Sequence, residues 1–248
     1  MIITNHAAEK IRRGDQAIGI WSIINSTTVV EIAASTGLDF QILDLEHGNF
    51  NLSDIADCVA ACTPYPCSPL VRVPSIDPPL IQKVLDMGCH GIVFPQVRNA
   101  SDAKKIVASC RFAPEGIRGY NPFTRSGQYE GNSNSAYYVK NFPLVVLIIE
   151  NRDAYANLDD IASVGGVDVL YLGVYDMSCA LGIKGQLNHP DLQDFMKKSA
   201  ILATNHNKAI GVMVDSRSDF EDCKDSGTLF GVLKPDTWQL FTAIRTRI

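Results

Sequence analysis

The stretch FQILDLEHGNF (residues 40–50) sets an apolar strand body, Phe40, Ile42 and Leu43, directly against Asp44, Glu46 and His47. Charged groups rarely enter a protein interior unless they are paired or functional. A strand that ends in two carboxylates and an imidazole is either running out into a solvated turn or delivering groups to a site. The second reading requires other buried strands that end in the same way.

Seven more such runs occur. They are AIGIWS (17–22), PLVRV (69–73), HGIVFPQV (90–97), PLVVLIIE (143–150), VDVLYLG (167–173), AIGVMV (209–214) and TLFGVL (228–233). Continuous Val/Ile/Leu runs of this length mark strands buried on both faces. Helical patterns fill the gaps. TVVEIAAST (28–36) stops at Gly37, and LSDIADCVAAC (52–62) stops before Pro64. DPPLIQKVLDMG (77–88) opens on Asp-Pro and closes on Gly. SDAKKIVASC (101–110) opens on a Ser cap, and HPDLQDFMKKSAILATNHN (189–207) is the longest.

Eight strand–helix units in 248 residues have the size and rhythm of a single α/β domain, a (β/α)8 barrel spanning 1–248. An open doubly wound sheet is the alternative, weakened because no GxGxxG follows the first strand. The segment from about 112 to 139, rich in Gly, Asn and Ser, interrupts the rhythm and reads as a long functional loop or interface arm.

Composition narrows the function. With 46% hydrophobic residues the chain can fill a large core. A net charge of -5 and a pI near 5.5 argue against nucleic-acid or anionic-membrane partners. The longest apolar stretch, PLVVLII (143–149), is too short to span a bilayer. The first residues, MIITNHAAEKIRRGDQ, lack the plan of a signal peptide. A soluble cytoplasmic protein is expected. The seven cysteines, Cys58, Cys62, Cys67, Cys89, Cys110, Cys179 and Cys223, are odd in number and lack a CxxC pair. They fit neither a disulfide framework nor a zinc site. Cys58 and Cys62 lie four apart on a helical stretch, and small core residues are the favoured reading over a metal pair.

In barrels of this type chemistry gathers at the C-terminal strand ends. Asp44, Glu46 and His47 end the second strand, Arg72 the third and Glu150 the fifth, and Asp176 follows the sixth in GVYDMS (173–178). Singly, Glu150 and Asp176 read equally as helix caps, Arg72 as an ion-pair partner and His47 as a solvated histidine. Together they offer hard oxygen ligands for Mg²⁺ or Mn²⁺. They also offer a planar fork for a carboxylate and a group that moves protons near neutrality. That set suits enolisation of a 2-oxo acid.

Across LDLEHG, PLVRVPSIDP, LDMGCHGIVFPQV, RFAPEGIRGY, the terminal Glu of LVVLIIE, and GVYDMS followed by LG, the chain resembles the HpcH/HpaI aldolase/citrate lyase family. These are class II pyruvate-type aldolases. The resemblance runs from Gly19 to the KPDT at 234–237. It implies a barrel of the phosphoenolpyruvate/pyruvate-domain type, its last helix exchanged between neighbours in a homo-oligomer, usually a hexamer. It implies a divalent cation (Mg²⁺, Mn²⁺ or Co²⁺) on Glu150 and Asp176. Arg72 would contact the pyruvate carboxylate and keto oxygen, with Gly173, Tyr175 and Asp176 bordering the substrate. His47 would act in acid–base chemistry, with Asp44 and Glu46 fixing water and the His orientation. Asp86, in LDMG, would pair with a His47, across a subunit boundary. The implied reaction cleaves the C3–C4 bond of a 2-oxo-4-hydroxy acid to pyruvate and an aldehyde. It needs no Schiff-base lysine, and Lys234, the one strand-end lysine, falls outside the metal motifs. The chain departs from the family pattern in two places: Ile148 replaces a common Gln, and Val174-Tyr175 replaces Pro-Ala before Asp176. A condensing or decarboxylating relative of citrate-synthase type, and a carboxylate-binding barrel without turnover, therefore stay as alternatives.

Overall fold

A computed structural model describes residues 4–131 and 143–248. The expected loop is thus described to residue 131, and 132–139 lie outside the described residues. Eight strands, β1 (Ala17–Ser22), β2 (Phe40–Asp44), β3 (Ser68–Arg72), β4 (Gly91–Phe94), β5 (Leu144–Ile149), β6 (Val169–Leu172), β7 (Ala209–Val214) and β8 (Thr228–Leu233), run parallel in chain order. Pairing of β8 with β1 closes the barrel, which removes both sheet edges. The open-sheet alternative is thereby set aside.

Alternation along each strand sorts the core. Trp21, Phe40, Ile42, Leu70, Val93, Val146, Tyr171 and Phe230 fill the barrel interior. Their outward neighbours, such as Leu43, Val71, Ile92 and Leu147, meet the helices. Phe40 stacks on Phe230 at 4.2 Å between ring centroids. Gly19 makes room for this stack: a Cβ there would sit 2.3 Å from the Phe40 ring.

The helical layer is α1 (His6–Arg12), α2 (Thr27–Ser35), α3 (Leu52–Cys62), α4 (Pro78–Asp86), α5 (Ala100–Cys110), α6 (Arg152–Ala156), α7 (Leu158–Ala162), α8 (Val174–Ala180), α9 (Pro190–Asn205), α10 (Arg217–Glu221) and α11 (Asp236–Arg245). Ala7, Ala8 and Ile11 of α1 join the interior cluster and plug the N-terminal end of the barrel. Asn51 and Asp54 form a capping box on α3. The cap of α5 is Asn99 rather than Ser101: Asn99 is extended and its side-chain oxygen accepts from the Asp102 N–H at 3.0 Å, whereas Ser101 already lies in the helix. Cys58 and Cys62 are buried in the outer core, which accords with their reading as small core residues. Among the described residues no helix is long and apolar enough to cross a membrane.

Candidate active site

Parallel register places Asp44 beside Arg72 at the C-terminal ends of β2 and β3. Arg72 Nε donates to Asp44 Oδ1 at 2.8 Å, and Nη2 donates to Asp44 Oδ2. Its Nη1 lies 3.1 Å from Glu46 Oε2. The guanidinium stands over the Trp21 ring, 4.5 Å from the centroid, and Trp21 Nε1 donates to the Tyr171 hydroxyl at 3.4 Å. A guanidinium has five N–H groups. One on each terminal nitrogen remains for a ligand.

Asp44 also ends its strand. Its Oδ1 accepts the N–H groups of Glu46 at 3.0 Å and His47 at 3.2 Å, which turns the chain after Asp44. Asp44 and Glu46 therefore act on Arg72 and on the backbone under His47, and no side chain among the described residues bonds the His47 ring. The expected part of Asp44 in orienting His47 thus runs through the backbone rather than the ring. The reason is the register, which gives Asp44 a guanidinium as its strand neighbour. His47 is exposed and lines the mouth of the barrel.

Glu150 directly follows β5 and is buried. Its Oε1 accepts the Gln96 N–H at 2.7 Å, an amide aimed by the left-handed backbone at Gln96 (φ 55°). Burial pushes the Glu150 carboxyl up to about 7; Asp176 and Glu46 add to the rise, and the Gln96 N–H and Arg72 oppose it. Asp176 sits in the first turn of α8, which starts directly after Gly173. Burial also raises Glu46, against the pull of Arg72 and His47, with Asp44 and Asp176 adding to the rise.

These groups surround a cavity of about 510 Å³ at the C-terminal mouth, lined by Asp44, His47, Arg72, Glu150, Gly173, Tyr175 and Asp176 together with Trp21, Lys234 and Trp238. Ile148 lines it too, so the departure at that position faces the site. Tyr175 is half exposed and stands where this cavity adjoins a neighbouring one. Asp86 is not brought in. It lies at the C-terminal end of α4, which runs back toward the opposite end of the barrel, and it pairs with Arg118 at 2.6 Å. The sequence did not single out Trp21, Tyr171 or the Gln96 amide. Only the Pro-Gln that follows β4 hints at the last, as a strand terminator.

The donor set fits a hard divalent cation. Asp44, Glu46, Glu150 and Asp176 outnumber Arg72 at the mouth, and among the described residues Glu150 has no ion-pair partner. No group of three or more His, Cys, Asp or Glu side chains is poised to hold a metal among the described residues. Two carboxylates with solvent completing the shell is an ordinary arrangement for Mg²⁺.

A sequence profile described as HpcH/HpaI aldolase/citrate lyase matches residues 17–241. The chain is 32% identical over 236 residues to a pyruvate aldolase of Rhizobium etli (strain ATCC 51251 / DSM 11541 / JCM 21823 / NBRC 15573 / CFN 42), covering 94% of this chain and 91% of that protein. It is 29% identical over 248 residues to a 2-keto-3-deoxy-L-rhamnonate aldolase of Escherichia coli O157:H7, covering 100% and 93%. Its fold matches the crystal structure of a HpcH/HpaI aldolase/citrate lyase family protein from Burkholderia cenocepacia J2315 with TM-score 0.90 and 26% identity, over 98% of each chain.

Proposed function

The chain belongs to the HpcH/HpaI aldolase/citrate lyase family, and on that premise we propose that it makes and breaks the C3–C4 bond of a 2-oxo-4-hydroxy acid, with pyruvate and an aldehyde as the fragments. It is a carbon–carbon lyase of the aldolase type. The observation that carries the finer reading is the juxtaposition at one mouth of buried Glu150, Asp176 and a stacked, carboxylate-held Arg72.

Glu150 and Asp176 would hold the cation, Mg²⁺, Mn²⁺ or Co²⁺, which when bound supplies positive charge to the 2-oxo oxygen. Arg72 presents its two remaining N–H groups to the substrate carboxylate and keto oxygen. Its plane is fixed by Trp21 below and Asp44 at its edge, so little freedom is lost on binding. His47 takes the proton of the C4 hydroxyl in cleavage and returns one to C3 of the pyruvate fragment. Lys234 is ill suited to a Schiff base: its hydrogen bond to Asp215 raises its pKa, the reverse of what a nucleophilic amine needs. Asp86 would serve His47 only from a neighbouring subunit. That arrangement, a hexamer with exchanged α11, belongs to the same proposal. So does a cytoplasmic setting, which the seven free cysteines suit.

The test is solvent deuterium exchange into the methyl group of pyruvate. Exchange should stop on chelation and return with Mg²⁺, Mn²⁺ or Co²⁺; full exchange in chelated protein would overturn the metal assignment. His47→Ala should slow exchange by about 10²–10⁴-fold. A rate near wild type would make His47 structural.

A further inference from the structure

We propose that the tail of the aldehyde lies in a second, largely apolar chamber beside the mouth, and that this chamber selects aldehydes with an unbranched apolar chain over short ones. The inference rests on the aldolase reading above. The chamber, about 560 Å³, lies between the outer face of β7 and α9. Leu187, Met196, Ala200, Ile210, Val212 and Val214 form its apolar walls, and Gln193, Lys197, Asp215, Asp219, Ser226 and Thr228 also line it.

Its origin is local. The helix after β7, α10, has only five residues and leaves part of the strand uncovered. Strands β4, β5 and β6 are buried at every position, whereas Val212 and Met213 of β7 are only half-buried. Open apolar surface at this point is therefore built into the chain. It adjoins the reaction site: Leu172, Val174, Tyr175, Met213 and Lys234 line both cavities. Tyr175 and Lys234 are the polar members of this shared boundary. Lys234 keeps its charge on Asp215 at 2.5 Å, and its ammonium stands 4.5 Å from the Trp238 ring centroid. Its charge is thus matched by Asp215, and the aliphatic side chains of β7 and α9 offer a tail apolar contact.

The chemistry balances without a further reactant. In condensation, C3 of deprotonated pyruvate attacks the aldehyde carbon and the C3–C4 bond forms. The carbonyl electron pair moves to oxygen, which takes one proton to become the C4 hydroxyl. The aldehyde carbon meets C3 at the mouth, and its chain passes Tyr175 into the chamber. Each methylene buried there is worth roughly a fourfold gain in kcat/KM.

The experiment measures kcat/KM for propanal, hexanal and octanal with pyruvate, in wild type, Ala200→Trp and Met196→Ala. Wild type should favour hexanal by about tenfold or more, three buried methylenes setting the upper bound. Ala200→Trp fills the chamber and should cut that ratio at least tenfold. Met196→Ala enlarges it and should move the optimum to a longer chain, and it carries the test if the Trp variant fails to fold. A wild-type ratio near one, or a ratio unmoved by either variant, overturns the inference. A change in oligomeric state on Ala200→Trp, read by light scattering, would show a subunit contact there instead and also overturn it. Methyl exchange without condensation of any of the three aldehydes overturns this inference alone. Neither exchange nor condensation overturns the aldolase reading as well.

Discussion

Arg72 shows how much of the site depends on single side chains. Two of its nitrogens meet Asp44, a third meets Glu46, and its face lies on Trp21. Asp44→Asn keeps the shape but leaves the guanidinium short of its main counter-charge. Removing one partner of a buried pair costs about 3–5 kcal/mol. Glu46 stays in place, so a loss of roughly 3 kcal/mol is expected by urea denaturation. Arg72→Lys should not restore activity in any background, since an ammonium cannot make the two-edged contact. Glu150 gives a pH signature in chelated protein. Its carboxyl titrates at about 7 when folded against an ordinary 4.5. The folded state then holds the extra proton between those values, so stability falls as pH rises from about 4.5 through 7. The full effect is on the order of 3 kcal/mol. Glu150→Gln should flatten that slope. A slope unchanged in the variant would assign it to another group. These residues were legible as polar groups at apolar strand ends. The Gln96 amide and the Trp21–Tyr171 support were not, because a backbone donor has no sequence signature and an aromatic in a strand reads as core.

Elements carry the site through their junctions, and the β6–α8 junction is packed directly against Glu150. A Cβ at Gly173 would lie 2.6 Å from Glu150 Cβ and 3.1 Å from its Oε2. Gly173→Ala must therefore displace the Glu150 side chain. Overpacking of this kind costs about 1–3 kcal/mol. Disturbing a group that positions a ligand typically weakens metal binding about 10–100-fold. Calorimetric titration with Mn²⁺ should show that loss, and wild-type affinity would show that Glu150 does not hold the cation. The strands themselves were legible, with β1, β7 and β8 matching their apolar runs residue for residue. Other ends moved for local reasons. β2 stops where Asp44 captures two amides, and β4 stops where Pro95 and left-handed Gln96 leave the ladder. Short helices were missed. α8 has glycine at its cap with no side-chain bond, and α6 and α7 are five residues each, too short to show a period.

At the scale of the molecule, eight buried runs of even spacing made a barrel legible, but closure depends on β8 meeting β1, a contact spanning the whole chain. The last helix poses the remaining question. Its apolar face can either pack on its own barrel or reach a neighbour. Within α11 only Asp236 is buried, its carboxylate accepting the N–H groups of Ile23 and Ile24 and so pinning the helix start over β1. Trp238, Leu240, Phe241 and Ile244 are 41%, 53%, 59% and 56% exposed. Full burial of such a side chain is worth about 1.5–3 kcal/mol. Four left in water on one short helix are a large apolar surface for a chain without a partner. The helix is thus anchored at one end and unsatisfied along its length, which is the geometry an exchanged element requires. We expect a hexamer by light scattering at micromolar concentration. Leu240→Asp with Phe241→Asp should dissociate it, since each would place an unpaired carboxylate in the contact. Activity should fall with assembly if Asp86 serves a neighbour's His47. Wild-type protein that scatters as a monomer would rule out helix exchange and, with it, any role for Asp86 at the mouth.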